Sequence, residues 1–350
     1  MLGQGSFGKV FLAKRRNDEQ LYALKATNKA KNSTRKLLKH TLSERLVLSK
    51  ITGHPNIVKF HESFQTENFL FLVMEFCQKG ELFFHLQAQG ILKPNVIKLL
   101  AKTIGSTLIF LHEQRILYRD LKPENILMDK MGSIKLADFG LAKQDVDENS
   151  RAYTGCGSWS YLSPEIIRCN RSRQIGKAAE YGYLSDWWSL GVLLYDVWYG
   201  SPPFYHSNIP TMARAILSET GKVQFQEEDI RNERQLVHFI KSCLVKEPMM
   251  RMGSSKLGGF EMFYHHELFC SNQKNQQENH AEEKAGNPQG TSEYDISNYF
   301  DSRFTHMDVA GAVDDLTCSC STIIAQDLFL KWDTPFNLCP VAEFENSVLT

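Results

Sequence analysis

Asp120, Lys122 and Asn125 stand within one six-residue stretch, and Asp138 follows thirteen positions after Asn125. These residue types at this spacing suit transfer of a phosphoryl group to a hydroxyl. A carboxylate at Asp120 can take the hydroxyl proton, while Lys122 neutralises charge gathering on the transferred oxygens. Asn125 and Asp138 offer the hard oxygen ligands that Mg2+ prefers when it bridges phosphates. The strings that carry them, YRDLKPEN (Tyr118–Asn125) and DFG (Asp138–Gly140), flank ILMDKMGSIKLA, which reads as a hairpin. Either string alone is common in loops and turns, but together and in this order they are specific.

Upstream lie the elements that must position a phosphate donor. GQGSFGKV, with Gly3, Gly5 and Gly8 around Ser6 and Phe7, fits a loop whose backbone amides approach phosphates closely because no Cβ intervenes. The alternation of LYALKA (Leu21–Ala26) predicts a strand carrying Lys25, and HTLSERLVL (His40–Leu48) predicts a helix carrying Glu44. Each charge alone would read as a solvated surface group. In this order they predict an ion pair that holds Lys25 on the α- and β-phosphates of a nucleotide. Residues 1–74 alternate in short β-like runs around one helix, and residues 78–269 are mainly helical in pattern. A small sheet lobe, a hinge at 75–77 and a larger helical lobe are therefore expected.

With these motifs in hand, the chain resembles the protein kinases, and specifically the AGC group of serine/threonine kinases. The resemblance runs from Leu2 to about Phe269. Its group-specific marks are Tyr118 at the head of YRDLKPEN, HTLSER in the helix, SDWWSLGVLLYDVWYGSPPF (Ser185–Phe204), and RMG (Arg251–Gly253) before HHELF. It implies an α+β, bilobal kinase fold: a small antiparallel-sheet lobe with one regulatory helix, a larger mainly helical lobe and a C-terminal tail. ATP and Mg2+ are the implied substrate and cofactor. Leu2, Val10, Ala23, Met74 and Leu127 would wall the adenine pocket, and the backbone from Met74 through Glu75 and Phe76 to Cys77 would hydrogen-bond the base.

The same resemblance assigns Glu81 and Glu124 to arginines preceding the target hydroxyl, Glu81 also lying beside the nucleotide, so protein substrates with Ser or Thr near basic residues are expected. Ser158 would touch Asp120 and Lys122. Thr154, between DFG and SPE (Ser163–Glu165), matches a threonine phosphorylated by an upstream kinase, its phosphate pairing with Arg119 and His40. Asp186 would brace the catalytic-loop backbone, Arg251 would pair with Glu165, and Leu48, Tyr118 and Phe139 would stack in an apolar column. In the segment TGCGSWSYLSPE, Ser158, Trp159 and Ser160 replace the usual Thr-Pro-Glu, which remodels the pocket for the residue after the phosphoacceptor.

Composition narrows the classes. Lys plus Arg equals Asp plus Glu at 40 each, so no global field favours nucleic acid or an acidic membrane surface. No apolar run stands out as membrane-spanning, and the N-terminus is no signal peptide. The eight cysteines lack paired zinc spacing, and reduced thiols in a monomer of the cytoplasm or nucleus are expected. From 270 to 292 the sequence turns polar and reads as a flexible linker. Residues 293–350 resemble the AGC tail: Phe300 would approach adenine, and Phe329 and Trp332 of FLKWDT would dock on the small lobe. Asp333 stands there where many relatives carry a phosphorylated residue, so a fixed carboxylate would give docking without phosphorylation.

Two departures bear on activity. The first half of the strand leading into the glycine loop is absent ahead of Leu2, and residues 168–184 carry an insertion. An active serine/threonine kinase is the primary reading, because Lys25, Glu44, Asp120, Lys122, Asn125 and Asp138 are all present. An ATP-binding pseudokinase scaffold is the alternative. A tyrosine kinase fits least, since the lysine of KPEN is the serine/threonine pattern.

Overall fold

The computed structural model describes residues 1–5, 8–14, 20–29, 35–66, 68–145, 157–174 and 181–270. Ser6, Phe7, Thr154, the polar linker and the tail with Phe300, Phe329, Trp332 and Asp333 lie outside them.

An antiparallel five-stranded sheet is built from β1 (Gly3–Gly5), β2 (Gly8–Lys14), β3 (Leu21–Asn28), β4 (Phe60–Gln65) and β5 (Phe69–Glu75), in the order β1-β2-β3-β5-β4. Alternation along β3 sends Tyr22, Leu24 and Ala26 into a small core with Phe11, Phe64, Phe71 and Val73. Ala23 and Lys25 are thereby turned to the other face. Directly paired residues share a face, so the pairings Val10↔Lys25, Ala23↔Met74 and Lys25↔Leu72 set Val10, Ala23, Lys25 and Met74 side by side. Gly8 allows this close packing: a Cβ there would lie 2.3 Å from the Ala26 carbonyl oxygen.

The regulatory helix expected from HTLSERLVL is α1 (Arg35–Ile51), whose Val47, Leu48 and Ile51 are buried. Strand β5 continues through Glu75, paired with Tyr22, so the first residue of the expected hinge is still in the sheet.

Below, β6 (Gly80–Glu81), β7 (Ile126–Met128) and β8 (Ile134–Leu136) form a three-stranded sheet between α2 (Leu82–Gln89) and the rest of a helical lobe. That lobe comprises α3 (Pro94–Glu113), α4 (Pro164–Gln174), α5 (Leu184–Tyr199), α6 (Ile209–Leu217), α7 (Glu227–Asn232), α8 (Arg234–Cys243), α9 (Glu261–Tyr264) and α10 (Glu267–Cys270). Ile126 and Met128 point down into its core while Leu127 remains half-buried on the upper face. The hairpin read in ILMDKMGSIKLA is thus present, with Ile126↔Leu136 and Met128↔Ile134 paired.

One correction concerns α3, which is long and apolar enough to cross a bilayer by length and composition. The sequence reading singled out no such run. In this fold Ile97, Leu100, Ile104, Leu108 and Leu111 of α3 are buried in the large core. Cys77, Cys169, Cys243 and Cys270 form no disulfide.

Candidate functional site

Lys25 leaves β3 and meets two carboxylates: Glu44 Oε1 at 2.6 Å and Asp138 Oδ1 at 3.1 Å. Lys25 is only 7% exposed. Burial alone would lower its pKa, but the charges of Asp138 and Glu44 outweigh burial and hold it above the usual lysine range. Glu44 moves up because burial outweighs Lys25, and Asp138 moves down because Lys25 and the Gly140 amide together outweigh burial. The group is therefore a lysine cation with an ionised Asp138 beside it. Asp138 holds this pose at φ +49°, its Oδ1 accepting from the Gly140 amide at 3.1 Å.

Asp120 is a second centre. Its Oδ2 accepts from Lys122 Nζ at 2.9 Å and from Asn125 Nδ2 at 2.9 Å. The same Asn125 amide nitrogen bonds the Asp120 carbonyl at 2.7 Å, which leaves the Asn125 amide oxygen as its ligand atom. Among the described residues Oδ1 of Asp120 receives no hydrogen bond, so that oxygen is available to a substrate proton. Ser158 does not occupy it: the two residues line one small cleft with Tyr161 and Ser189, and no bond joins them. The contact expected between the Ser158 hydroxyl and Asp120 or Lys122 is not made here. Gly157, at φ +103°, closes against the loop, where a Cβ would lie 2.8 Å from the Arg119 carbonyl oxygen.

The backbone before Asp120 is braced from below. Arg119 sits at φ +73°, an uncommon conformation for a side chain of its size. Asp186 of α5 accepts from the Tyr118 amide and from the Arg119 amide, each at 2.9 Å, and faces His112 Nε2 at 2.9 Å. Tyr118 packs edge-on against Phe139 at 5.2 Å and donates its hydroxyl to the Ala137 carbonyl at 2.5 Å. Leu48, Tyr118 and Phe139 are all buried. Arg251, fully buried, holds Glu165 through both carboxylate oxygens at 2.6 and 3.0 Å.

The two partners expected for a phosphate on Thr154 also contact the backbone that follows Phe139. His40 Nδ1 lies 3.2 Å from the Gly140 carbonyl oxygen, and Arg119 Nε donates to the Leu141 carbonyl at 2.6 Å. Both thus grip the backbone just after Phe139.

An acidic group flanks Asp120. Glu81 of β6 is pushed up to about 7, first by burial and then by the charge of Glu124, which Lys122 only partly offsets. Asp196 of α5, hydrogen-bonded by the Tyr161 hydroxyl, is raised by burial and by Glu124. Sequence reasoning named Glu81 and Glu124 but missed Asp196 and Tyr161. The only available signal was an aspartate in the otherwise apolar LLYDVWY of α5.

In the cleft, Leu127 faces up from β7, and the hinge carbonyl of Cys77 accepts from the Gly80 amide at 3.1 Å. Leu2 donates its amide to the Val10 carbonyl at 2.7 Å, which sets it at the cleft mouth beside Gly3. A two-lobed fold with a lysine–glutamate pair above and an aspartate–lysine–asparagine set below defines a class of phosphotransferase fold. The protein kinase domain profile matches residues 1–269, and the chain belongs to the protein kinase family.

Within that family it is 40% identical over 254 residues to the serine/threonine-protein kinase Sgk1 of Macaca fascicularis. It is 40% identical over 253 residues to that of Danio rerio and 39% over 254 residues to that of Homo sapiens. These matches cover 72–73% of this chain and 55–56% of the relatives, so the chain spans about half the length of the curated relatives it matches. They agree with the AGC-group resemblance of the motifs.

Proposed function

We propose that the chain is an ATP-dependent serine/threonine protein kinase acting on hydroxyls near basic residues. The observation that carries this is the joining of a buried Lys25–Glu44 pair to the half-exposed Asp138, above an Asp120 whose Oδ1 is open.

Each residue then has a task. Lys25, fixed by Glu44, presents its ammonium to the α- and β-phosphates of ATP, and the glycine loop covers them from above. The hard oxygens of Asp138 and Asn125 fit Mg2+ and would hold it; when bound, it supplies positive charge between the phosphate oxygens. Asp120 accepts the proton of the serine or threonine hydroxyl at Oδ1 as the oxygen bonds to the γ-phosphorus and ADP leaves. Lys122 stays on Oδ2, within reach of the transferred oxygens. Phosphorylation of Thr154 by an upstream kinase, in the cytoplasm or nucleus, belongs to the same proposal. It would recruit Arg119 and His40 from the carbonyls of Leu141 and Gly140. The pseudokinase alternative has no support from the site, because all six residues are present and held together.

Glu81, Glu124 and Asp196 fit arginines of the substrate, and this gives a pH test. A carboxyl with its pKa near 7 is largely neutral at pH 6 and charged at pH 8. Only the charged form attracts a guanidinium, so KM for an arginine-containing peptide should fall as pH rises from 6 to 8. The expected drop is roughly three- to tenfold, and Glu81→Gln should flatten it. Steady-state kinetics on peptides with and without arginine would test this. No phosphate transfer to either peptide by Thr154-phosphorylated protein would contradict the proposed function, and an equal pH dependence for both would contradict the role of Glu81.

A further inference from the structure

We propose that Lys135 is a positioning residue for the nucleotide base, tying the end of β5 to the sheet that floors the cleft. The inference rests on the nucleotide-binding reading above and adds a residue to it.

Three observations carry it. Lys135 Nζ lies 3.2 Å from Glu75 Oε1, joining β8 to the last residue of β5. That Oε1 is fully buried and, among the described residues, has no hydrogen-bond donor, so the ammonium is the group that compensates its charge. Finally, register places Lys135 directly opposite Leu127, and Leu127 directly opposite Glu81. Paired residues share a face, so Glu81, Leu127 and Lys135 form a row along the upper surface of the three-stranded sheet.

The consequence is mechanical. Glu75 continues into the hinge, and its amide is held by the Lys59 carbonyl at 2.9 Å. With its side chain pinned to Lys135, the strand end is fixed at a set height above Leu127. On the nucleotide-binding reading the base would lie between Leu127 below and Val10 and Ala23 above, so that height would set the room it has. The charges of Glu75 and Lys135 also reach the buried Cys77 thiol at the other end of the hinge, and burial with Glu75 raises its pKa. Without Lys135, the buried oxygen of the Glu75 carboxylate would be left uncompensated and would move toward water, carrying the hinge with it.

The test is calorimetric titration of the full chain with Mg-ADP, with thermal midpoints for each variant. Lys135→Ala should weaken binding roughly three- to tenfold, as for a partly exposed pair whose loss strands a charge. Lys135→Arg should stay within about twofold, because it restores the cation. Lys135→Ala combined with Glu75→Gln should bind no worse than Lys135→Ala alone, because no charge is then stranded. For a peptide substrate, KM should stay within about twofold of the unaltered chain in Lys135→Ala, a split that general loosening of the fold would not give.

Unchanged Mg-ADP affinity in Lys135→Ala, whether or not its midpoint falls, would overturn this inference and leave the kinase reading standing. Failure of Lys135→Arg to recover affinity would also overturn it. Absence of Mg-ADP binding by the unaltered chain would overturn the reading of the cleft and this inference together.

Discussion

Replacing Lys25 with methionine should reduce kcat/KM for phosphate transfer by roughly 10²–10³-fold, the usual cost of deleting one fixed charge from a transition-state site. Methionine keeps the length and apolar stem but removes the cation. Lys25 is what permits the buried Glu44 carboxylate, at 2.6 Å, and the half-exposed Asp138 carboxylate, at 3.1 Å, to approach so closely. Once it is gone, Glu44, already raised by burial, should take up a proton, and α1 should lose its tether to β3. Glu44→Gln should cost less, because Lys25 keeps Asp138 as partner. Kinetics on both variants, with thermal midpoints to confirm folding, would check the order. Equal losses in the two would mean that the pair matters only as a whole, and an unchanged Lys25→Met would remove the nucleotide role.

Arg251→Ala should be the most destabilising single change. The guanidinium is fully buried, meets both oxygens of Glu165, donates to the carbonyls of Leu184 and Val245, and lies 5.3 Å from the ring centre of Trp188. Removing it strands the Glu165 carboxylate and several carbonyls at once. Breaking a buried pair from one side costs about 3–5 kcal/mol, which for a lobe of this size lowers the unfolding midpoint by roughly 10 °C. Arg251→Lys should recover only part of this, since a single ammonium cannot span both oxygens. Thermal unfolding of the two variants would decide, and an alanine variant with an unaltered midpoint would show the pair to be energetically neutral. Glu165 also opens α4 just beyond Ser163, so phosphate transfer should fall with stability.

What was legible in the sequence follows from local patterns. Lys25 and Glu44 could be paired because the strand and the helix that carry them follow the glycine loop in that order and spacing, although each charge alone would read as a surface group. The hairpin between Asn125 and Asp138 was legible because a glycine turn separates the short strands ILM and IKL. Asp186 and Arg251 were named through resemblance, and their hydrogen bonds fit those roles.

The rest depended on contacts between residues far apart in the chain. Nothing local says that Lys135 meets Glu75 or that Tyr161 bonds Asp196. Nor does any local pattern signal that His40 and Arg119 reach the Gly140 and Leu141 carbonyls. Ser158 was expected on Asp120; instead Gly157 brings the backbone close and turns the hydroxyl into a cleft. The apolar length of α3 was hidden among its lysines and threonines, and only the packed lobe shows that its face is covered.

The most direct test of the central claim is transfer of labelled γ-phosphate from Mg-ATP to an arginine-containing serine peptide by the Thr154-phosphorylated chain and its Asp120→Asn variant. The account predicts transfer by the former and a loss of roughly 10²–10⁴-fold in the latter, with Mg-ADP binding retained. Equal transfer by the two proteins would contradict Asp120 as the proton acceptor. Absence of transfer by both, with nucleotide bound, would contradict the assignment of kinase activity.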